Sequence, residues 1–583
     1  MSETLRFKSG PLVARWAVVA AVLYGLLAGS AFFSERAETL PTPTVFDDPV
    51  LVQHYQEMIT AENLSSLLHE FASDELEGRE TGTAGQHRAA GWLAQTYINL
   101  GIPPSTARSP GPRPHTQDFM QTVPIYGREL QQATLTARTA AGTLVSYRYV
   151  PREPVERLYL ANGTVPEISG DVEFRSYDMA NASLDYQEYA ALQPIPVEKP
   201  ARWVMMFAPD GLIQPAERHG AHRSTSIWPR LHLKTDVDPG AALPLGYLLI
   251  ATDEHVRTTG ARVAQQALSI GALSLTEPIS KYPFPPVYVL TPDAADTLLN
   301  GSGLSVDVLR TRIAEGTGPL REAVSGLSVG SKIDFPIRLF DAANVVGWIA
   351  GMDPVLRDEF VVLSSHYDHI GTNPLLEGDN VYNGADDNGS GTVAMLEIAR
   401  AFQRAKSDGL GPRRSIVFAH FTGEEKGLLG SKYYADTNPL FPLTRTVTNI
   451  NIDMIGRLDP SHPEGSDNYV YIIGSRLISE ELHDINDRVN RLTGVDVDLD
   501  ERFNSKNDPN RFYRRSDHWN FGKHGIPFIF FFTGTHEDYH RPEDEADKIE
   551  YDRLARIARL IFATTWQVAN QDQPPELSGD GFN

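Results

Sequence analysis

Five short segments of the 583-residue sequence place histidines and carboxylates where they could hold a hard or borderline metal ion. His366 and Asp368 close the run FVVLSSHYDH two residues apart, so both project from one face of an extended chain. Such a pair suits a metal-ligating imidazole whose other ring nitrogen is held by a carboxylate; a structural or solvated pair reads equally well. Asp386 and Asp387 sit in the glycine-bounded loop NGADDNGSG before a helical run, where they serve either as ligands or as caps. Glu424 and Glu425, in GEEKG, project in different directions, so one can bind metal while the other faces a substrate. Asp453 interrupts the apolar run NINIDMIG, read as a strand, and a carboxylate there needs a cation or donors. His536 and His540 follow the apolar IPFIFFF in the loop THEDYHRPEDEADKI.

The set is His, Asp, Glu-Glu, Asp, His, each at or near the end of a successive apolar run. One carboxylate shared between two zinc ions, with an unliganded carboxylate as general base, is a hydrolytic design that needs only oxygen and imidazole ligands. The composition agrees with it. Cysteine is absent, which excludes disulfides, thiolate catalysis, iron–sulfur clusters and cysteine-held zinc. With 52 basic and 75 acidic residues the net charge is −23, which opposes binding to nucleic acid or to an anionic membrane surface.

The elements that must position these residues form an α/β pattern. Between about 335 and 572 the runs NVVGWIAG, FVVLSSH, SIVFAHFT, NINIDMIG, YVYIIGS and IPFIFFFTG alternate with helical segments. They predict a mainly parallel central sheet with helices on both faces, whose ligand sites lie at the strand ends. Residues 48–130 read largely as helices of the same domain. Between them, 131–325 is β-rich (ARWVMMFA, LGYLLIATD, PPVYVLT) with one helix-like run at 259–272, and is expected to be a smaller inserted α+β domain. The catalytic part of the larger domain is set at 326–572, and 573–583 is expected to be a disordered tail. Within the first 47 residues, Arg6, Lys8 and Arg15 precede an uncharged run from Trp16 to Phe33, which is an export pattern followed by a linker. A cleaved signal with Ala28-Gly29-Ser30 at its end and an uncleaved inner-membrane anchor both place the bulk of the chain outside the cytoplasm, periplasmic or extracellular.

The ordered series HYDH, GADDNGSG, TGEEKGLLGS, NIDMIG, SDHWNFGKHGIPFIFFFTG and DYHRPEDEADKI resembles the cocatalytic zinc peptidases of the bacterial leucyl aminopeptidase type, a family that also holds glutamate carboxypeptidase and glutaminyl cyclase. The resemblance covers about 50–125, including SDELEGRETGTAG, and 335–570; the intervening stretch is similar to the protease-associated domain that many members carry. It implies two Zn2+ per chain. Asp386 would bridge them, His366 and Asp453 would complete one site, and Glu425 and His540 the other. Glu424 would be the general base and Asp368 would orient His366. Asp387 would shape a loop in which a cis peptide bond follows the bridging aspartate. Tyr513 occupies the place of an oxyanion-stabilising tyrosine in aminopeptidase members, and Tyr539 the place of its counterpart in carboxypeptidase-like members. His536 competes with His540, but DYHRPED fits the family pattern better.

The implied activity is that of an aminopeptidase acting on peptides. A carboxypeptidase or dipeptidase of the glutamate carboxypeptidase type is the alternative, and would need cations such as Arg511, Arg514 and Arg515 to grip a substrate carboxylate. A non-catalytic, receptor-like relative would have lost ligands, whereas every ligand position is filled here. His369, His420, His518 and His524 are expected to support the ligands from behind or to be structural rather than to bind metal, and His219, His222 and His232 to lie in solvated loops. DVDLDE, at 496–501, lacks the spacing of a calcium loop and reads as a charged surface turn. The sequence does not fix the oligomeric state.

Overall fold

A computed structural model describes residues 41–105, 114–176 (129, 152 and 164 excepted), 201–208, 244–257, 273–277, 285–315 and 321–579 (375 and 463–466 excepted). The apolar run at 16–33, the helix-like run at 259–272, and His219, His222 and His232 lie outside these residues. Among the described residues no helix is long and apolar enough to cross a membrane.

Three helices open the fold: α1 (Pro49–Gln56), α2 (Ala61–Phe71) and α3 (Ala84–Leu100). Each begins where a side-chain oxygen accepts an otherwise orphaned backbone N–H: Asp48 from Leu51, Thr60 from Asn63 and Thr83 from Gln86. Gly101 closes α3 in the left-handed region, φ 72°. Strand β1 (Met120–Arg128) follows. The chain then builds β2 (Gln132–Arg138), β3 (Leu144–Tyr149), β4 (Leu158–Asn162), β5 (Glu167–Arg175), β6 (Trp203–Phe207), β7 (Gly246–Ile250) and β8 (Val287–Leu290). Helices α4 (Pro292–Leu299) and α5 (Val306–Ala314) lead to β9 (Arg321–Asp334). These strands make one eight-stranded sheet in the order β3-β2-β9-β5-β6-β7-β8-β4. The sequence boundary at 325 falls within β9, which continues to Asp334.

The second half of the chain runs β10 (Ile337–Ile349), β11 (Phe360–His366), the hairpin β12 (Gly371–Thr372) and β13 (Val381–Tyr382), α6 (Gly391–Ser407), β14 (Ser415–Phe421) and α7 (Leu429–Asp436). Then come β15 (Thr446–Ile452), β16 (Tyr469–Ile473), α8 (Glu480–Leu492), β17 (Asp498–Asp500), β18 (Phe528–Phe532) and α9 (Tyr551–Asn570). With β1, the strands other than the β12–β13 hairpin form a second eight-stranded sheet, ordered β1-β10-β14-β11-β15-β18-β16-β17. Its central strands β14, β11, β15 and β18 are parallel, while β10 and β16 join antiparallel on either side. Residues 120–128 of β1 pair with 337–345 of β10, so the chain leaves and re-enters this sheet through neighbouring strands.

The central strands are buried along their whole length because both faces are covered. Val361 and Leu363 of β11 join a core with α6 and α9, while Phe360 and Val362 face a smaller cluster with Tyr434 and Phe521. Three sequence expectations change. Asp453 lies one residue past β15, not inside it. Part of DVDLDE is β17, an edge strand. The tail is not disordered as far as 579: Ser578 and Gly579 donate backbone N–H groups to Ile478 O (3.0 and 3.1 Å), and Glu576 donates its own to Glu481.

Trp566 of α9, fully buried, stacks on Tyr55 of α1 and Phe402 of α6 (centroids 5.7 Å in both pairs). Trp566→Ala is expected to lower stability by about 3–5 kcal/mol, the scale for truncating a buried aromatic side chain. Urea unfolding followed by circular dichroism measures it.

Candidate metal centre

The parallel strands all end on one edge of the sheet, and their following loops carry the acids and histidines. His366 ends β11, Glu424 and Glu425 follow β14, Asp453 follows β15, and His536 and His540 follow β18. Asp386 and Asp387 lie in the tight turn that opens α6.

Asp387 stands at the middle of this edge. One carboxylate oxygen is 3.3 Å from His366 Nε2, and the other is 2.9 Å from His540 Nε2 and 3.8 Å from His369 Nδ1. On the first side, His366 Nε2 is also 3.3 Å from Asp453 Oδ1. On the second, Glu425 Oε1 is 3.3 Å from His540 Nε2 and 3.0 Å from His369 Nδ1. Two groups of ligand atoms result, His366–Asp387–Asp453 and His369–Asp387–Glu425, each with its atoms within 4.8 Å of one another. Asp387 belongs to both.

The geometry therefore puts Asp387, not the expected Asp386, at the shared position. Adjacent residues in this turn point apart. The Asp386 carboxylate accepts from Gly456 N (2.6 Å) and faces His536 Nε2 (3.3 Å), away from the histidines around Asp387. The cis peptide bond, expected after Asp386, is Asp387–Asn388. His536 is the partner of Asp386, whereas His540 is the imidazole beside Asp387 and Glu425.

Asp368 is also placed differently from its expected role. His366 Nδ1 donates to the Asp368 backbone carbonyl (3.1 Å), and the carboxylate is farther away, at 3.8 Å. That carboxylate accepts instead from Thr81 Oγ1 (2.8 Å) and from Glu424 N (3.1 Å). It thus fixes the start of the Glu-Glu turn. Glu424 Oε2 reaches to 4.0 Å from His366 Nε2.

The electrostatics separate the two adjacent glutamates. Burial pushes Glu424 well above the usual carboxylate range, with Glu425, Asp453 and Asp517 adding to it against His366. Burial would raise Glu425 too, but His540 and His369 outweigh it and hold that carboxyl well below the usual range. Burial and Glu425 likewise oppose the ionised form of Asp387, yet His366 and His540 keep it low. Burial lifts Asp368 to about 6.

These side chains fit a metal. Asp368, Asp386, Asp387, Asp453, Asp517 and Asp544 are all buried on this edge, and carboxylates away from water need donors or cations, of which, among the described residues, backbone N–H groups serve only Asp368, Asp386 and Asp544. Glu425 Oε1 and both ring nitrogens of His369 are buried and make no hydrogen bond among the described residues. Oxygen and imidazole donors in this mixture are the ligands zinc accepts.

One wall of the centre is aromatic. Met454, Phe512 and Tyr513 cluster with Trp519 and Tyr539. Tyr513 meets Trp519 edge-on (5.8 Å, 90°), and its carbonyl accepts from His518 Nε2 (3.0 Å). Tyr539 stacks on His540, and its hydroxyl accepts from Arg515 (3.4 Å). Asp453, Glu424, Asp387 and Glu425 all act on the Arg515 charge. Arg514 lies over Tyr513 and Trp519 instead. Arg511, at φ 56°, precedes the short turn Phe512–Arg514.

Of the histidines expected to be structural, His420 is held by Tyr97 and Ser365, His518 by Tyr513, and His524 by Asp436. His369 lies beside the ligands, with Nδ1 3.0 Å from Glu425 Oε1, and falls within one of the two groups of ligand atoms. Sequence reasoning passed over Asp544, which accepts from the backbone N–H groups of both Asp386 and Asp387 (3.0–3.1 Å), and Ser516, which donates to Asp453 Oδ2 (2.6 Å). The acid run RPEDEAD offered a signal for the first; the serine beside DH offered one only as part of SDH.

Residues 344–565 match the model of the family described as Peptidase family M28. Aminopeptidase YwaD of Bacillus subtilis (strain 168) is 30% identical over 247 residues, which is 40% of this chain and 46% of that protein. A probable zinc metalloprotease of Pyricularia oryzae is 28% identical over 312 residues, 46% of this chain and 57% of its own length. The chain thus spans about half the length of the curated relatives it matches. Among solved structures, BSAP, a zinc aminopeptidase from Bacillus subtilis, aligns at 16% identity over 90% of this chain and 99% of its own, with a TM-score of 0.47. Between residues 344 and 565 the chain carries a domain of peptidase family M28.

Proposed function

We propose that this protein is an exported dinuclear zinc exopeptidase, an aminopeptidase that removes N-terminal residues from peptides. The observation that carries the reading is Asp387, with one carboxylate oxygen toward His366 (3.3 Å) and the other toward His540 (2.9 Å). His366 and Asp453 would hold one zinc ion and Glu425 and His540 the other, with Asp387 shared and His369 set beside Glu425. Zinc held this way supplies a Lewis acid for the scissile carbonyl and makes a water more acidic.

The chain's own residues supply the remainder. Glu424 takes the proton of the attacking water and delivers it to the leaving amine. Its neighbour Glu425 stays ionised, so the two environments divide base from ligand. The bond from Glu424 N to Asp368 holds the base over the reacting atoms, and Asp368 O sets the His366 tautomer. Tyr513 stabilises the oxyanion, and Tyr539, with its hydroxyl oriented by Arg515, contacts the substrate. The aromatic wall supports a preference for apolar side chains. The positively flanked apolar run at 16–33 supports export. Arg515 supports the second reading, a carboxypeptidase or dipeptidase, because its cation faces the same site.

Leucyl- and phenylalanyl-p-nitroanilides should be cleaved, with activity lost to a chelator and restored by zinc. N-blocked dipeptides should be resistant; cleavage of those alone would establish the carboxypeptidase reading instead. Glu424→Gln should keep its zinc while kcat falls by about 10²-fold or more, the scale of a general base. Asp387→Asn should lose zinc, whereas Asp386→Asn should retain it, because Asp386 serves the Gly456 N–H. Elemental analysis of the purified variants distinguishes the two aspartates.

A further inference from the structure

Arg79 is fully buried, yet its hydrogen-bond partners among the described residues are all backbone carbonyls. Nε donates to Tyr367 O (2.9 Å), one terminal nitrogen to Asn383 O (2.6 Å) and Phe71 O (3.1 Å), and the other to Gly384 O (2.9 Å). The guanidinium also lies 4.6 Å from the Phe71 ring centroid. Tyr367 sits between His366 and Asp368, and Asn383 and Gly384 lead directly into the turn that carries Asp387. One planar fork therefore ties the loop after β11 to the loop before α6, at the level of the main chain. An ammonium group cannot reproduce that pattern, because its three donors diverge from a single atom.

The residues around Arg79 reach toward the same centre. Thr81 donates to Asp368, whose second oxygen accepts from Glu424 N. Lys426, next to Glu425, pairs with Glu80 (2.9 Å). Gly78 permits the close approach: at φ +61°, a Cβ there would lie 2.3 Å from Gly371 O. Arg79 is 288 residues before Tyr367 and lies outside the 344–565 span that matches the family. The ligands all lie inside that span, whereas Arg79, Glu80 and Thr81, which bond to their loops, come from the chain that precedes the insertion.

Resting on the zinc reading above, we propose that Arg79 is a positioning residue of the metal centre, whose guanidinium sets the spacing between the His366 loop and the Asp387 loop so that both ligand groups share Asp387. Burial weakens the hold of Arg79 on its proton, but Asp544, Asp387, Asp368 and Glu425 support the charge and its pKa stays near 10. The cation is thus present at neutral pH, and its hydrogen bonds are charge-assisted.

The test uses the full chain as wild type, Arg79→Lys, Arg79→Gln and Arg414→Lys. Arg414 is the control: it too is fully buried and donates to carbonyls (Val568 O, Asp572 O) and to Glu359, but at the opposite end of the sheet, where β14 begins. Zinc affinity is measured by competition with a chromophoric chelator, and unfolding of the zinc-depleted proteins by circular dichroism. Both Arg79 variants should unfold cooperatively and bind zinc about 10- to 100-fold more weakly, the usual effect of removing a group that orients metal ligands. Arg414→Lys should lower the unfolding midpoint and leave zinc affinity at the wild-type value. The proposal is overturned by wild-type affinity in both Arg79 variants, by an equal loss in Arg414→Lys, or by loss of cooperative folding in both Arg79 variants. A wild-type protein that binds no zinc would overturn the zinc reading itself.

Discussion

Buried negative charge is the constraint on which the rest of this structure depends. Asp387, Asp453, Asp368 and Asp517 lie at one edge of the sheet with little access to water, and Glu424 and Glu425 are almost as enclosed. Carboxylates in such surroundings destabilise the fold unless cations or donors are built around them. The chain's own cations there, Arg79 and Arg515, are themselves pulled down by burial, so they cannot offset the acids without also being held. A parallel sheet suits this arrangement. Four strands running the same way deliver four loops to one edge, and helix packing on both faces removes the freedom of those loops to spread.

The same residue type then serves two purposes, and the hydrogen-bond partner tells them apart. Asp544, Asp386 and Asp368 each commit at least one oxygen to a backbone N–H group, of Asp386, Asp387, Gly456 or Glu424. They fasten the loops. Asp387, Glu425 and Asp453 turn theirs toward imidazoles. They are the groups left for a cation. Backbone-bound carboxylates are scaffolding because each satisfies a donor that would otherwise be orphaned. Among the described residues Asp387, Glu425 and Asp453 take no main-chain donor; Asp453 accepts one bond from Ser516, and the oxygens that face the imidazoles are the ones suited to a proton or a metal.

That distinction explains which parts of the centre were legible in the sequence. The strands with continuous apolar runs, such as FVVLSSH and SIVFAHF, were readable almost to the residue because burial on both faces leaves no alternation to misread. The strands β3 and β9, which alternate between exposed and covered positions, were not singled out. The identity of the ligand loops was legible from residue type, but the choice between Asp386 and Asp387 was not. Spacing says that two adjacent side chains diverge; it does not say which one meets His366, because that depends on how the turn is seated on Asp544, 157 residues away. The place of His369 follows the same rule. Its role comes from Glu425, on another strand's loop.

The insertion shows how such long-range seating survives a large interruption. The segment with Arg79 and Thr81 precedes β1, and every ligand it steadies follows β10. More than 200 residues, including the sheet built from β2 to β9, lie between those strands. A loop of that length would ordinarily cost considerable closure entropy. Here β1 and β10 pair side by side, from Met120 opposite Val345 to Arg128 opposite Ile337, so the ends of the excursion are held together by a ladder of main-chain hydrogen bonds. The bonds from Arg79 to Tyr367 and Gly384 do not pass through the sheet of β2 to β9. The precision of the centre rests on contacts between the chain before the excursion and the chain after it, and the paired strands are what make those two pieces behave as one.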